Sequence, residues 1–247
     1  MKTSTMFILA AVVATFIGLT AYNFSLKASF LKGDYKNPFN GLAFTSVKDV
    51  NEIDLQSANR ITIRIQQGKT AGLWLRSRLK GNLVWTKNGN ALKIDLTKEA
   101  KDNGFQIWDN ELILVMPNAV KLTSRAYIKD KEEEKRARIS GNINISGFEQ
   151  DGMQLDLGKY TSAFLDKLKV GKLNALIGNK DKGDASLVLS SANQISTATF
   201  EIPGSGSLDL MDPNITKTHY TISDQATVSL NGKALQAIKA DQVLAVK

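Results

Sequence analysis

The chain of 247 residues has no cysteine and a single histidine, His219. Without cysteine there is no disulfide, no thiolate metal site, no cysteine nucleophile and no lipid-modified N-terminal cysteine. One histidine cannot make a metal cluster by itself, and a zinc site here would have to rest on carboxylates beside it. His219, in Lys-Thr-His-Tyr-Thr-Ile, therefore reads as a strand or surface residue. Proline is scarce at 4 residues, so the 18 glycines, with asparagine and aspartate, must make the turns. Charge of one sign is not concentrated either. Of the net +8, residues 1–44 carry +3, leaving 28 basic against 23 acidic side chains in the remainder. That mild excess suits weak attraction to acidic polymers or headgroups. A nucleic-acid surface would need a basic stripe interleaved with aromatics, and none is seen.

What is present first is an uncharged stretch, Thr3 to Leu26, behind Lys2, with its apolar heart from Met6 to Tyr22. It is longer than the apolar region of most cleaved signals and close to the length of a transmembrane helix. Cleavage after Ala21 would leave Leu19 where a small residue is wanted, so the sequence favours an uncleaved signal anchor over a cleaved signal peptide. The order charged, apolar, polar points to an exported C-terminal domain, although lysines on both flanks give no clear vote on orientation. The reading divides the chain into an anchor or signal at 1–26, a tether at 27–44 and a folded body at 45–247.

The body carries a beat. Ile143, Leu165, Leu187, Leu208 and Val228 fall 22, 22, 21 and 20 residues apart, and Ile53, Leu73, Ile94 and Leu114 are separated by 20 or 21. A period near 21 marks a solenoid, whose repeats cannot bury an apolar face alone and must stack. Ile61-Thr-Ile-Arg-Ile65, Leu92-Lys-Ile-Asp-Leu96, Leu208-Asp-Leu210 and Val228-Ser-Leu230 alternate with period two, as strands with one buried face do. Leu112–Met116 is apolar throughout and reads as a strand covered on both sides. Tyr160–Val170 alone suggests a turn or two of helix. The predicted class is thus all-β, a β-solenoid of about 21 residues per coil, with a β-sandwich as the alternative. A jump in phase near 129–142 predicts two stacked segments, 45–128 and 139–247. The mixed-sign run Lys129–Arg138 between them reads as a solvated loop.

Ile53-Asp-Leu followed by Ile61-Thr-Ile-Arg-Ile-Gln-Gln-Gly68, then Asn90-Ala-Leu-Lys-Ile-Asp-Leu96 and Leu112-Ile-Leu-Val-Met-Pro117, resembles the head GIN domain family over residues 44–238. That family comprises provisionally assigned auto-transporter adhesins of Bacteroidetes-type envelopes, also catalogued as a domain of unknown function. The charged Tyr127–Arg138 departs from its serine- and glycine-rich repeats. The resemblance implies a right-handed β-helix, an envelope location and an adhesive or structural role, and transfers no catalytic residue.

Candidate chemistry is sparse. Gly204-Ser-Gly206 lacks the spacing of a nucleophile elbow. Asn179-Lys-Asp-Lys-Gly-Asp184 places oxygens at alternate positions but lacks the later bidentate glutamate of a calcium loop. Asp209 with Asp212, and Glu132–Glu134, are the carboxylate clusters a glycosidase would use, and Asp209 alternates with leucines as an ordinary outward residue does. The best hint is Trp74, which alternation turns away from Leu73 and Leu75, beside Arg76 and Arg78; these three could stack on sugar or a partner. The sequence thus predicts no enzyme, cofactor or metal. It predicts a non-catalytic envelope protein, held in the membrane by its N-terminal helix, that meets an envelope glycan or protein and no nucleic acid. Its rivals are a polysaccharide-acting β-helix enzyme and a membrane-tethered regulatory module.

Overall fold

The computed structural model describes residues 3–33, 37–136, 139, 141–180, 184–232 and 235–236, without the side chains of Lys32 and Arg136. The chain divides into two units, Met1–Gly41 and Leu42–Lys247.

The first unit is dominated by helix α1 (Thr3–Lys32). Its span Thr3–Leu31 has a mean hydropathy of 2.0 over its most apolar window and none of that window is buried. Thirty residues rise about 45 Å at 1.5 Å each, against about 30 Å of bilayer hydrocarbon, so the helix is long and apolar enough to cross a membrane. It continues six residues past the Leu26 boundary read from the sequence, and Thr15 and Thr20 return their hydroxyl protons to the carbonyls of Ala11 and Phe16.

The second unit is almost entirely β. In chain order its strands are β1 (Leu42–Ser46), β2 (Glu52–Leu55), β3 (Ile63–Gln67), β4 (Gly72–Arg76), β5 (Leu83–Asn88), β6 (Ala91–Leu96), β7 (Leu112–Met116), β8 (Lys121–Ser124), β9 (Ile143–Ser146), β10 (Glu149–Leu157), β11 (Ser162–Asp166), β12 (Lys169–Ile177), β13 (Ser186–Leu189), β14 (Gln194–Ile202), β15 (Ser207–Leu210), β16 (Asn214–Ile222) and β17 (Thr227–Leu230). Two short helices interrupt them, α2 (Lys98–Asp102) and α3 (Lys131–Arg136). The strands form two mixed sheets. The first has the order β1-β4-β7-β3-β9-β11-β13-β15-β17 and the second β16-β14-β12-β10-β8-β2-β6-β5.

From β9 onward the chain alternates between sheets, and each strand pairs in parallel with the strand two later. In the first sheet Ala163, Leu187, Leu208 and Val228 stand in one row. The last three are the row the apolar beat predicts. The beat errs by two residues at its start: Leu165 lies opposite Ile145 and Leu189, and Ile143 opposite Ala163. The cause is unequal turn length, since β10, β12, β14 and β16 follow one another at 20, 25 and 20 residues. Tyr160–Val170 is not helical but holds β11, with Ala163 and Leu165 buried.

Before β9 the periodic reading fails. Ile53 and Ile94 lie in the second sheet, Leu73 and Leu114 in the first. A return to the same sheet, Ile53 to Leu92, takes 39 residues, because the antiparallel strands β4 and β5 are inserted into the circuit. The pair β2, β3 therefore sits inside the stack, with β6 and β7 on one side and β8 and β9 on the other. β7 is buried at all five positions, as its unbroken apolar run predicts.

The core is one cluster of inward aliphatic side chains contributed by both sheets, with Phe148 and Phe200 as its aromatic members at full burial. Its corners repeat. Gly147, Lys167 and Asp212 take positive φ just after a strand of the first sheet, redirecting the chain towards the second, and Gly232 takes it after β17. At the matching turn after β13, one residue longer, Asn193 does the work instead. Fully buried, its side-chain N–H groups donate to the carbonyls of Leu165 (2.8 Å) and Ser190 (2.9 Å), and its oxygen accepts from the Leu168 N–H (3.0 Å).

Candidate binding surfaces

Trp74 stands on β4 between Leu73 (0% exposed) and Leu75 (4%), so alternation does turn it to the outer face. The antiparallel partner β1 places Phe44 opposite it, ring centroids 4.9 Å apart and tilted by 50°, and the indole is half-buried beneath that contact. Arg78 lies beyond the strand in the turn Ser77–Leu79, with its guanidinium gripped by the Glu111 carboxylate and 5.0 Å above the Phe105 ring. The Trp108 N–H also donates to Glu111 (2.9 Å). Burial alone would raise the Glu111 carboxyl, but the hydrogen bonds from Arg78 and Trp108 and the charges of Arg78 and Arg76 outweigh it and hold it below the usual carboxylate range. The bond to Glu111 in turn raises Arg78. Arg76 is exposed. The three predicted residues thus separate into a stacked pair, Trp74 with Phe44, and two arginines gathered at Glu111.

Elsewhere, His219 and Asp209 lie on the outer faces of β16 and β15. Asp209 stands between Val188 and Ser229 in its row, and Asp156 between Thr123 and Leu176, so neither has a carboxylate beside it. One oxygen of Asp209, Oδ1, is buried without a hydrogen-bond partner. Residues 181–183 of the calcium-like Asn179–Asp184 sequence lie outside the described residues, and among those described no three His, Asp or Glu side chains converge as metal ligands.

The mixed-sign run is more than a solvated loop. Asp130 caps α3 by accepting from the Glu133 N–H (2.8 Å), and Glu133 pairs with Arg60, a residue only 8% exposed whose guanidinium also donates to the Lys101 carbonyl (2.7 Å). Tyr127 lies under both Arg60 (5.1 Å) and Lys101 (5.0 Å). On the other side Glu134 meets Lys159 at 2.5 Å. α3 therefore clasps the early strands to the later ladder. An acidic-basic run long enough for one helical cap was the available signal; the buried Arg60 that receives it is 73 residues away and gives none.

A concave surface lies on the second sheet. A trough of about 530 Å³ is lined by Asn118, Val120, Gly152, Gln154, Lys172 and Asn174. A second, of about 450 Å³, continues over Glu149, Lys169, Gly171, Gln194, Ser196 and Thr216, and the two share Gln150 and Asp151. Gln150 braces the junction, donating to the carbonyls of Ala119 (2.7 Å) and Gly152 (2.6 Å) and accepting from the Ala119 N–H (2.9 Å). Gly171 is required there, because a Cβ would stand 2.6 Å from the Asp151 carbonyl oxygen.

No family model matches the sequence, and no curated protein is similar to it. Solved structures are similar. One from Parabacteroides distasonis, provisionally named an adhesin, is 18% identical with a TM-score of 0.51, over 77% of this chain and 73% of that one. Another from Bacteroides fragilis, also provisionally named an adhesin, is 13% identical with a TM-score of 0.43, over 76% of this chain and 95% of that one. A third, from Parabacteroides distasonis and provisionally named a lipid-binding protein, is 15% identical with a TM-score of 0.32, over 76% and 96%. At 18% identity and a TM-score of 0.51, the first of these likenesses is one of fold: a mostly β body shared with an adhesin-type protein.

Proposed function

We propose that the chain is a non-catalytic, membrane-anchored envelope protein of head GIN type, whose body is a β-solenoid that presents a repeated outer face to a polymer or protein partner. The observation that carries it is the parallel ladder β9–β17, which returns to each sheet every 20–25 residues behind an apolar helix with no burial of its own. Such crossovers between parallel strands are right-handed in nearly all proteins, which fits a right-handed winding. Each coil sets a further group of outward side chains beside the last, so weak contacts sum along the stack by raising effective concentration. The adhesin-type names of the similar structures favour the envelope and a binding role. A glycan-cleaving enzyme would need paired carboxylates on neighbouring coils, and the surroundings of Asp156 and Asp209 do not supply them.

The test is topology. A reporter active only outside the cytoplasm, fused after Lys247, is expected to be active, and protease added to spheroplasts is expected to remove the body while the helix stays in the membrane. An inactive reporter with a protected body would end the adhesion reading and install a cytoplasmic, membrane-tethered regulatory role in its place.

A further inference from the structure

We propose that the outer strip of the second sheet, across β8, β10, β12, β14 and β16, binds one extended chain of an acidic glycan with a carboxylate on every second sugar. Two adjacent outward rows make the strip. The first runs Gly152, Lys172, Thr197, Lys217 and the second Lys121, Gln154, Asn174, Thr199, His219. Both face outward because Met153, Leu155, Leu173 and Ala198, which alternate with them, are at most 3% exposed.

Across these two rows the charged side chains are lysines, with no aspartate or glutamate among them. Lys121, Lys172 and Lys217 sit on β8, β12 and β16, every second strand. At about 4.8 Å between neighbouring strands, cations recur about every 10 Å along the stack. That is close to the length of two linked hexoses. The strands between them offer Gln154, Thr197 and Thr199, and Asn174 stands beside Lys172, so amides and hydroxyls that both donate and accept alternate with charge. Among the described residues no side-chain hydrogen bond or ion pair engages Gln154, Asn174, Lys172 or Lys217. Lys172, Asn174 and Gln154 also line the 530 Å³ trough, whose floor is opened by Gly152.

The borders select the occupant. Asp151 flanks the strip on one side, Asp156 and Glu201 on the other. Beyond the strip, Glu52 on β2 ends the second row beside Lys121, and Asp151 lines the trough itself. A flat anionic bilayer would meet all of these carboxylates together with the lysines, whereas a single narrow chain along the two rows stays clear of Asp156 and Glu201. The strip holds no aromatic ring except the His219 imidazole at its end, so the stacking platform of single-stranded nucleic acid is missing.

The inference takes the stacked, exported body of the proposed function as given. Its test uses the full chain in neutral detergent micelles, titrated with hyaluronan oligosaccharides, which carry one carboxylate per disaccharide, and with uncharged dextran. Hyaluronan is expected to bind and dextran not to, with affinity falling as salt is raised. The double variant K172E/K217E should weaken binding at least tenfold, and K93E, exposed on β6 outside the strip, should leave it unchanged. T197E, a single change in the middle of the strip, should weaken it as well and replaces the double variant should that one fail to fold. Failure of hyaluronan to bind, binding indifferent to these variants, or capture of phosphatidylglycerol vesicles in place of hyaluronan would each overturn the assignment. An exported chain that ignores hyaluronan loses the strip alone. A chain that binds it but faces the cytoplasm keeps the strip and loses the envelope reading.

Discussion

Asn193 shows what a single side chain can hold in a stack of this kind. It occupies a place on the inner side of the turns that the neighbouring coils give to Leu168 and Pro213, yet it is polar, fully buried and bonded at both ends to backbone. Asn193→Ala strips partners from the Leu168 N–H and the Leu165 carbonyl, and is expected to cost about 1–3 kcal/mol in chemical denaturation. Glycine positions divide in the same way. A Cβ on Gly141 would stand 2.1 Å from the Ala58 carbonyl oxygen and 2.6 Å from that of Ile61, while one on Gly152 meets only the Lys172 oxygen at 3.7 Å. Gly141→Ala should therefore lower the melting temperature clearly and Gly152→Ala hardly at all. From sequence, Asn193 in Ser-Ser-Ala-Asn could be read only as a turn residue, because its burial follows from its place in the stack, level with Leu168 and Pro213 of the neighbouring coils. Leu187, Leu208 and Val228 were legible as one row, since the coils joining them are equal to within a residue.

At the scale of elements, the clasp α3 and the turn around Arg78 fix the early part of the body. Glu133→Gln leaves the nearly buried Arg60 cation without its carboxylate, so a loss of about 1–3 kcal/mol is expected by urea denaturation, with the membrane helix unaffected. The Glu111 carboxyl titrates below its ordinary range when folded, so its stabilisation is present above the unfolded value and disappears as pH falls through the folded one. Melting temperatures of the wild type and Glu111→Gln, measured from neutral to acid pH, should therefore differ at neutral pH and converge in acid. The alternation inside β2, β3 and β6 was plain in the sequence because each strand buries one face. Their order in space was not. An antiparallel insertion changes which strands meet without changing any strand's own pattern, so 20-residue spacing there marked a crossing between sheets rather than a full coil. Trp74 was correctly placed on the outer face, but Phe44, which covers part of it, comes from a strand that overlaps the stretch read as a tether.

At the scale of the molecule, an all-β body and an N-terminal apolar helix were both readable from periodicity and length, because each depends on local pattern alone. The trough on the second sheet was not readable, since it depends on which of several polar rows lie side by side. The account stands on one claim above the rest, that this body works outside the cytoplasm while the helix keeps it at the membrane. The absence of cysteine makes that claim directly measurable: D224C puts a single thiol on the exposed turn between β16 and β17. With a maleimide that cannot cross membranes, the account predicts labelling of D224C in intact spheroplasts, with the labelled chain recovered in the membrane fraction. Labelling only after the spheroplasts are lysed would contradict it.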